Sequence, residues 1–151
     1  MRITIKSILL LAIVFLGLSA CSKEKEIERS LIKKDGIWDV VNVHRLSYNN
    51  DGSVYSESTS DNYATFVFLK KGKFEWYTFN SSTELVHEGI WVNTDDELMI
   101  TRPKSLIPGN DAWVFEIVKQ SKNEMTLHRI SKKPDIVSYK DEVTYQLKRR
   151  S

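Results

Sequence analysis

The three histidines are the side chains of this 151-residue chain with the clearest capacity for metal or acid–base chemistry. They are His44, His87 and His128, and none belongs to a close His-x-His or His-x-x-x-His pattern. A metal site built on them would have to be assembled from distant parts of the chain. The spacing therefore predicts ordinary strand histidines and no metal centre.

Carboxylates are the second source of potential chemistry. The run Asp95-Asp96-Glu97 could attract calcium, but it lacks the spaced oxygen ligands and the glycine of an EF-hand and favours a solvated hairpin turn. Glu75 and Glu116 alternate with aromatic residues and are predicted to face solvent. The chain also contains no Gly-x-Ser-x-Gly elbow and no Gly-rich phosphate loop. We therefore expect a protein that is not an enzyme, with no catalytic residues and no cofactor.

Cys21 is the only cysteine, and it closes an N-terminal pattern typical of export. Arg2 and Lys6 give a basic start, the run from Ser7 to Leu18 is apolar, and small residues precede the cysteine. The apolar run is too short to cross a hydrocarbon core of ~30 Å comfortably, so it indicates a signal peptide rather than a membrane helix. The ending Leu18-Ser19-Ala20-Cys21 resembles the lipobox of bacterial lipoproteins. That resemblance implies cleavage before the cysteine, lipid attachment to its sulfur and acylation of the new N-terminus, as by palmitate.

The lipobox resemblance also predicts how the chain is organised. It implies a signal peptide over residues 1–20 and a lipid bilayer as a partner, within the bacterial cell envelope. We expect attachment to the outer membrane, and both the periplasmic face and the cell surface remain open. Residues 21–34 are rich in Lys, Glu and Ser, which predicts a solvated tether ending in a short helical turn. Residues 35–151 are predicted to form the single folded domain.

The charge balance gives no support for a nucleic-acid partner. The full chain has 22 basic and 20 acidic side chains, and Arg2 and Lys6 leave with the signal, so the mature chain balances at 20 (22 minus 2) against 20. The densest basic groups are Lys70 to Lys73 and Lys148 to Arg150. They are predicted to keep turns soluble or to contact anionic lipid headgroups.

Short runs of β-branched and aromatic residues, separated by turn residues, predict an all-β domain from Gly36 onward. Asn49 to Gly52, Lys70 to Lys73 and Asn93 to Asp96 are predicted turns. Nine strand candidates follow one another in hairpin order, among them a polar one from Ser53 to Thr59 and a strong one from Tyr63 to Leu69. This order predicts an antiparallel up-and-down meander that closes into a barrel of about eight strands, because closure removes exposed strand edges. A two-sheet sandwich is the alternative.

Two tripeptides repeat, and each places a glycine two residues before a strand tryptophan. They are Gly36-Ile37-Trp38 and Gly89-Ile90-Trp91. The remaining segments of the pattern are Phe68 to Phe74, Asp95 to Ile100, Phe115 to Val118, Glu124 to Leu127 and Tyr145 to Arg149. In this order they resemble the small bacterial lipocalin-like domains found on lipoproteins, of the Bacteroidota type. The resemblance covers about Leu31 to Arg149 and implies a lipocalin-like barrel.

Side chains that alternate along a strand face the same side, which predicts the barrel interior. Counting from Trp38, this alternation turns Asn42 and His44 inward, and because polar groups buried without partners are costly, both are predicted to line an open mouth. The candidate ligand-binding residues are Asn42, His44, Trp76, His87, Trp91, Arg102 and Trp113.

The preferred function is binding of a small apolar or amphipathic molecule in the barrel mouth. The alternative is a structural or interaction module with a filled barrel and protein partners on its outer surface. A mouth-accessible cavity of at least ~300 Å³ would favour the first, and for a domain of this size a mostly filled core is expected. The identity of the ligand and of any protein partner is left open.

Overall fold

The computed structural model describes residues 23–101, 112–132 and 140–150. The predicted signal peptide, Cys21, Arg102 and the segment from Pro103 to Gly109, whose prolines predict a loop, lie outside the described residues. A short helix, α1, spans residues 23–32. The strands are β1 (Ile37–Tyr48), β2 (Val54–Phe68), β3 (Lys73–Thr78), β4 (Leu85–Asn93), β5 (Glu97–Thr101), β6 (Ala112–Gln120), β7 (Glu124–Lys132) and β8 (Lys140–Arg149).

The eight strands form a closed up-and-down barrel in the order of the sequence. Each strand pairs antiparallel with the next, and β8 pairs antiparallel with β1. This confirms the predicted fold class, and the sandwich alternative is wrong. The count falls from nine candidates to eight strands because two of them, Ser53 to Thr59 and Tyr63 to Leu69, belong to one strand, β2. That strand is irregular at Asn62, where φ is 52°.

The barrel has two different ends. The closed end carries the short 3-10 turns Lys34–Gly36 and Lys70–Gly72, the turn at residues 94–96 and the turn at residues 121–123. The mouth, at the opposite end, carries the β1–β2 turn at residues 49–53 and the β3–β4 connection. The predicted turns therefore lie at both ends of the barrel.

Helix α1 packs on the closed end. Lys23 to Glu26 is exposed, as predicted for a solvated stretch, but it is helical. Ile27 is 3% exposed and Leu31 is fully buried, and both belong to the hydrophobic core. Positions i and i+4 lie on the same face of a helix, so the two side chains dock α1 onto the barrel. The interpretation of residues 21–34 as a tether is therefore wrong for α1, which is part of the folded domain.

Arg149 joins three parts of the closed end, an arrangement we call the Arg149 junction. Its guanidinium donates hydrogen bonds to the backbone oxygens of Ser30 (2.5 Å), Lys33 (2.6 Å) and Lys122 (2.8 Å). Its Cζ lies 4.1 Å from the centroid of the Trp38 ring. The same tryptophan donates from Nε1 to the backbone oxygen of Leu31, at 3.0 Å. Strand β8 thus holds α1 and the β6–β7 turn against β1.

The half of the barrel next to the closed end is filled by aromatic and aliphatic side chains. Phe66, Phe68, Phe74 and Phe115 are each at most 1% exposed. Their rings contact one another or the neighbouring tryptophans, with Phe66 and Phe74 centroids 5.3 Å apart. The core formed by the described residues runs from Ile27 to Leu147 and lies inside a barrel closed on itself.

A β-bulge in β1 reverses the predicted alternation. The pairing shifts register between Val40 and Asn42 on both sides of the strand. Against β8, Val41 is an extra residue, whereas β2 places two residues, Asn62 and Tyr63, opposite it. As a result Val43, which is 6% exposed, faces inward. Asn42 and His44 lie on the outer face, and the prediction that they face the interior is wrong. Their side chains hydrogen-bond across to β2, to Asp61 and Glu57 at 2.8 Å each.

Candidate ligand-binding site at the barrel mouth

Three of the predicted ligand-binding residues come together inside the barrel near the mouth. The ring centroids of Trp76 and His87 are 5.1 Å apart, those of Trp76 and Trp113 are 5.3 Å apart, and those of His87 and Trp113 are 6.4 Å apart. All three rings are partly exposed, in contrast with the phenylalanines of the closed half. We call these three side chains the aromatic wall.

Strand register explains why the aromatic wall faces inward. Trp76 pairs with Phe66 of β2 on one side and with His87 of β4 on the other. Directly paired residues project to the same side of a sheet, and Phe66 is 1% exposed in the core. Trp113 pairs with Ile100, which is fully buried. The inward direction of these side chains agrees with the sequence alternation.

Two tyrosines that were not among the predicted site residues extend the aromatic surface. The Tyr63 ring lies 5.8 Å from that of Trp76 and 6.4 Å from that of Tyr145, centroid to centroid. Tyr145 in turn lies 5.5 Å from Phe115 and 6.4 Å from Phe66. Tyr63 is 39% exposed and Tyr145 is 6% exposed. The mouth therefore has aromatic sides and a floor made by the filled core.

Two arginines reach the same region, and they too were absent from the predicted site. Arg129 follows Met125 and Leu127 on the inward face of β7, and its Cζ lies 5.5 Å from the centroid of the Trp113 ring. Its Nε is buried and, among the residues that the structure describes, has no hydrogen-bond partner. Arg45 pairs with the fully buried Val143, so it lies on the inward side of β1, exposed at the rim.

The positive charges of Arg129 and Arg45 both influence the pKa of Tyr145, at the floor of the mouth. Burial is the largest effect on this tyrosine and raises its pKa above the usual value. The positive charges of Arg129 and Arg45 oppose that rise, while Tyr63 adds to it. Both guanidinium groups therefore lie close enough to the Tyr145 hydroxyl to stabilise a negative charge there.

The other predicted residues do not join this cluster. Trp91 faces inward but lies at the closed end, where it is 4% exposed and its Nε1 donates to the backbone oxygen of Leu69 at 3.1 Å. Asn42 and His44 are on the outer face, and Arg102 lies outside the described residues. The alternation Met125, Leu127, Arg129 was the signal that could have identified Arg129 from sequence.

A separate groove of about 590 Å³ lies outside the barrel, between α1 and the β6–β7 turn. Its charged lining consists of Lys23, Glu26, Arg29, Lys33, Asp95, Lys119, Lys122 and Arg149. The guanidinium of Arg149 is already engaged by backbone oxygens, so the groove offers exposed lysines on a surface rather than a set of converging groups.

In the described ranges, no set of three or more His, Cys, Asp or Glu side chains is arranged to hold a metal ion. No helix in those ranges is both long and apolar enough to span a membrane.

Comparison with known proteins assigns no family to the chain. No protein-family model matches the sequence, and a search of curated proteins finds no match.

Proposed function

We propose that this protein binds a small apolar or amphipathic molecule at the barrel mouth, as a lipocalin-like lipoprotein of the bacterial cell envelope. The observation that carries the proposal is the aromatic wall, whose rings stay partly exposed above a core that is otherwise closed to water. Covering apolar surface contributes roughly 25 cal/mol per Å², and aromatic contacts add to this. A ligand seated on these rings gains both terms.

The filled floor limits the ligand to a shallow position. Phe66 and Phe115 are at most 1% exposed and close the barrel beneath Tyr145. A ligand would therefore occupy the mouth half of the barrel and not its full length. This favours one ring system, or the end of an alkyl chain, over a long molecule buried completely.

The lipid anchor is the second part of the proposal. Helix α1 begins at residue 23, close behind Cys21, and packs on the closed end of the barrel. Acylation of Cys21 would therefore turn the closed end towards the bilayer and leave the mouth facing away from it. Intact-mass spectrometry of the chain from bacterial membranes tests this: we expect a chain beginning at Cys21 with diacylglyceryl and acyl groups. An unmodified cysteine or a retained signal would overturn the anchor.

The binding proposal is tested by titrating residues 21–151, carrying Cys21→Ser, with the neutral apolar probe N-phenyl-1-naphthylamine. We expect a saturable rise in probe fluorescence. Trp113→Ala should weaken binding about tenfold, because it removes a ring of the aromatic wall, and tenfold corresponds to about 1.4 kcal/mol.

Val114→Ala is the matched control, since this neighbour lies on the outer face of the same strand and is 47% exposed. It should leave the affinity within about twofold. Absence of saturable binding in the unaltered protein would refute the ligand-binding function. Equal effects of the two substitutions would place the probe elsewhere and refute the proposed site.

A row of apolar side chains on the outer surface favours the alternative of a protein-interaction module. Val92, Met99 and Val114 pair side by side across β4, β5 and β6. Their exposed fractions are 50%, 38% and 47%. Contiguous exposed apolar surface is typical of interaction sites. This alternative predicts that the probe does not bind in the mouth, so the same titration separates the two functions.

A further inference from the structure

We propose that the mouth selects amphipathic anions: Arg129 and Arg45 receive a carboxylate or phosphate head while the aromatic wall covers the apolar body. This inference rests on the proposed ligand-binding function and adds the charge of the ligand to it. It follows from the side chains that surround the mouth and from the hydrogen-bonding capacity that they leave unused.

Arg129 gives the strongest support for an anionic ligand. Its Nε is buried without a hydrogen-bond partner among the described residues. Burying a polar group without a hydrogen-bond partner is unfavourable, and more so when the group is charged. The guanidinium lies over the Trp113 ring, at 5.5 Å from Cζ to centroid, which holds one face of the group while its edge keeps its donors. An oxyanion in the mouth would supply the acceptor that this donor lacks.

Arg45 adds a second positive charge from the opposite side of the β8 strand. It pairs with Val143 on the inward face, as Arg129 does from β7. Neither arginine belongs to any of the ion pairs between described residues. Two guanidinium groups that have no carboxylate partner in the described part of the chain are suited to binding an anionic head.

Among the described residues, one carboxylate shares this inward face, and it is hydrogen-bonded to a serine. Asp141 pairs with Ser47 and Ser131, nearer the rim than Val143. Its Oδ1 accepts a hydrogen bond of 2.7 Å from the Ser47 hydroxyl. With Arg45 and Arg129 present, the described part of this face carries an excess of positive charge. An anionic ligand is therefore favoured over a cationic one of the same shape.

The test compares two ligands that differ only in charge. Residues 21–151 with Cys21→Ser are titrated with dansylaminoundecanoate and with its neutral primary amide, in 0.15 M salt. We expect the carboxylate to bind at least about tenfold more tightly than the amide, the value of one charge-assisted hydrogen bond. Arg129→Gln should remove this preference by weakening binding of the carboxylate much more than binding of the amide.

Two further variants make the result specific. Arg45→Gln should reduce the preference in part, and because Arg45 is exposed, this variant keeps the test valid if Arg129→Gln does not fold. Lys148→Gln removes a positive charge from the outer face of β8 and should change neither affinity. Displacement of the dansyl ligand by dodecanoate and by dodecyl phosphate then distinguishes a carboxylate from a phosphate head.

Each outcome bears on one of the two proposals. If neither dansyl ligand binds, the ligand-binding function fails. If acid and amide bind equally to the unaltered protein, anion selection is wrong while ligand binding stands. If Arg129→Gln and Arg45→Gln weaken binding of the acid and of the amide alike, the arginines support the fold and do not discriminate between ligands by charge.

Discussion

Replacing Gly36 with alanine should lower the free energy of unfolding by about 3–5 kcal/mol, because it combines backbone strain with a steric clash. The φ angle of Gly36 is +69°, which side-chain-bearing residues rarely adopt. An added Cβ would lie 1.9 Å from the backbone oxygen of Phe68 and 2.8 Å from its carbonyl carbon. Phe68 is fully buried at the end of β2, so its backbone has little freedom to move away. Urea denaturation followed by tryptophan fluorescence measures the loss.

Gly52→Ala separates the two causes. Gly52 has a similar φ of +84°, yet nothing lies within 4 Å of its added Cβ. The substitution should lower the free energy of unfolding by about 1 kcal/mol, from backbone strain alone. If Gly36→Ala were no more destabilising than Gly52→Ala, the close approach of Phe68 would have no energetic consequence.

Arg149→Met should cost about 3–4 kcal/mol of folding stability, because it empties the centre of the Arg149 junction. Methionine can still cover part of the Trp38 ring, but it cannot donate to the backbone oxygens of Ser30, Lys33 and Lys122. Hydrogen bonds to charged groups contribute about 1.5–3 kcal/mol each, and they do not add fully within one network. Since two of these oxygens belong to α1 and its end, limited proteolysis should also cut α1 sooner.

Lys148→Met provides the control for this substitution. Lys148 is the neighbouring cation on β8, it is exposed, and it pairs on the outer face with Asp39. Its replacement should change the unfolding free energy by less than about 0.5 kcal/mol. Equal stability of the two variants would mean that the junction contributes nothing beyond packing.

The fold was predictable because its signals are local. Turn residues such as those of Asn49 to Gly52 fix where strands reverse, and an unbroken series of hairpins leaves a closed meander as the simplest solution. The direction of Asn42 and His44 was not predictable in the same way. Val40, Val41 and Asn42 look like an ordinary strand, and the bulge arises where β1 pairs with β2 and β8 together. A single inserted residue inverts every side chain that follows it.

The same reasoning explains which parts of the mouth the sequence predicted. Trp76, His87 and Trp113 lie in stretches where simple alternation holds from the core outward, so their inward direction could be foreseen. Arg45 lies beyond the β1 bulge, and Tyr63 lies beside Asn62, where β2 is irregular. Their positions depend on pairing between distant segments, which no local pattern encodes.

The Arg149 junction also sets the order in which the chain can reach its native state during synthesis. It connects Arg149 with Lys33 and Ser30, which lie 116 and 119 residues earlier. A nascent chain that ends before β8 has two open strand edges, on β1 and β7, and lacks the hydrogen bonds that Arg149 donates to Ser30 and Lys33. At a translation rate of about 5–20 residues per second, the 116 residues from Lys33 to Arg149 take several seconds to synthesise. The barrel cannot close before then. A protein exported as proposed here would benefit from that delay, because a chain whose barrel has not yet closed is still unfolded enough to cross a membrane.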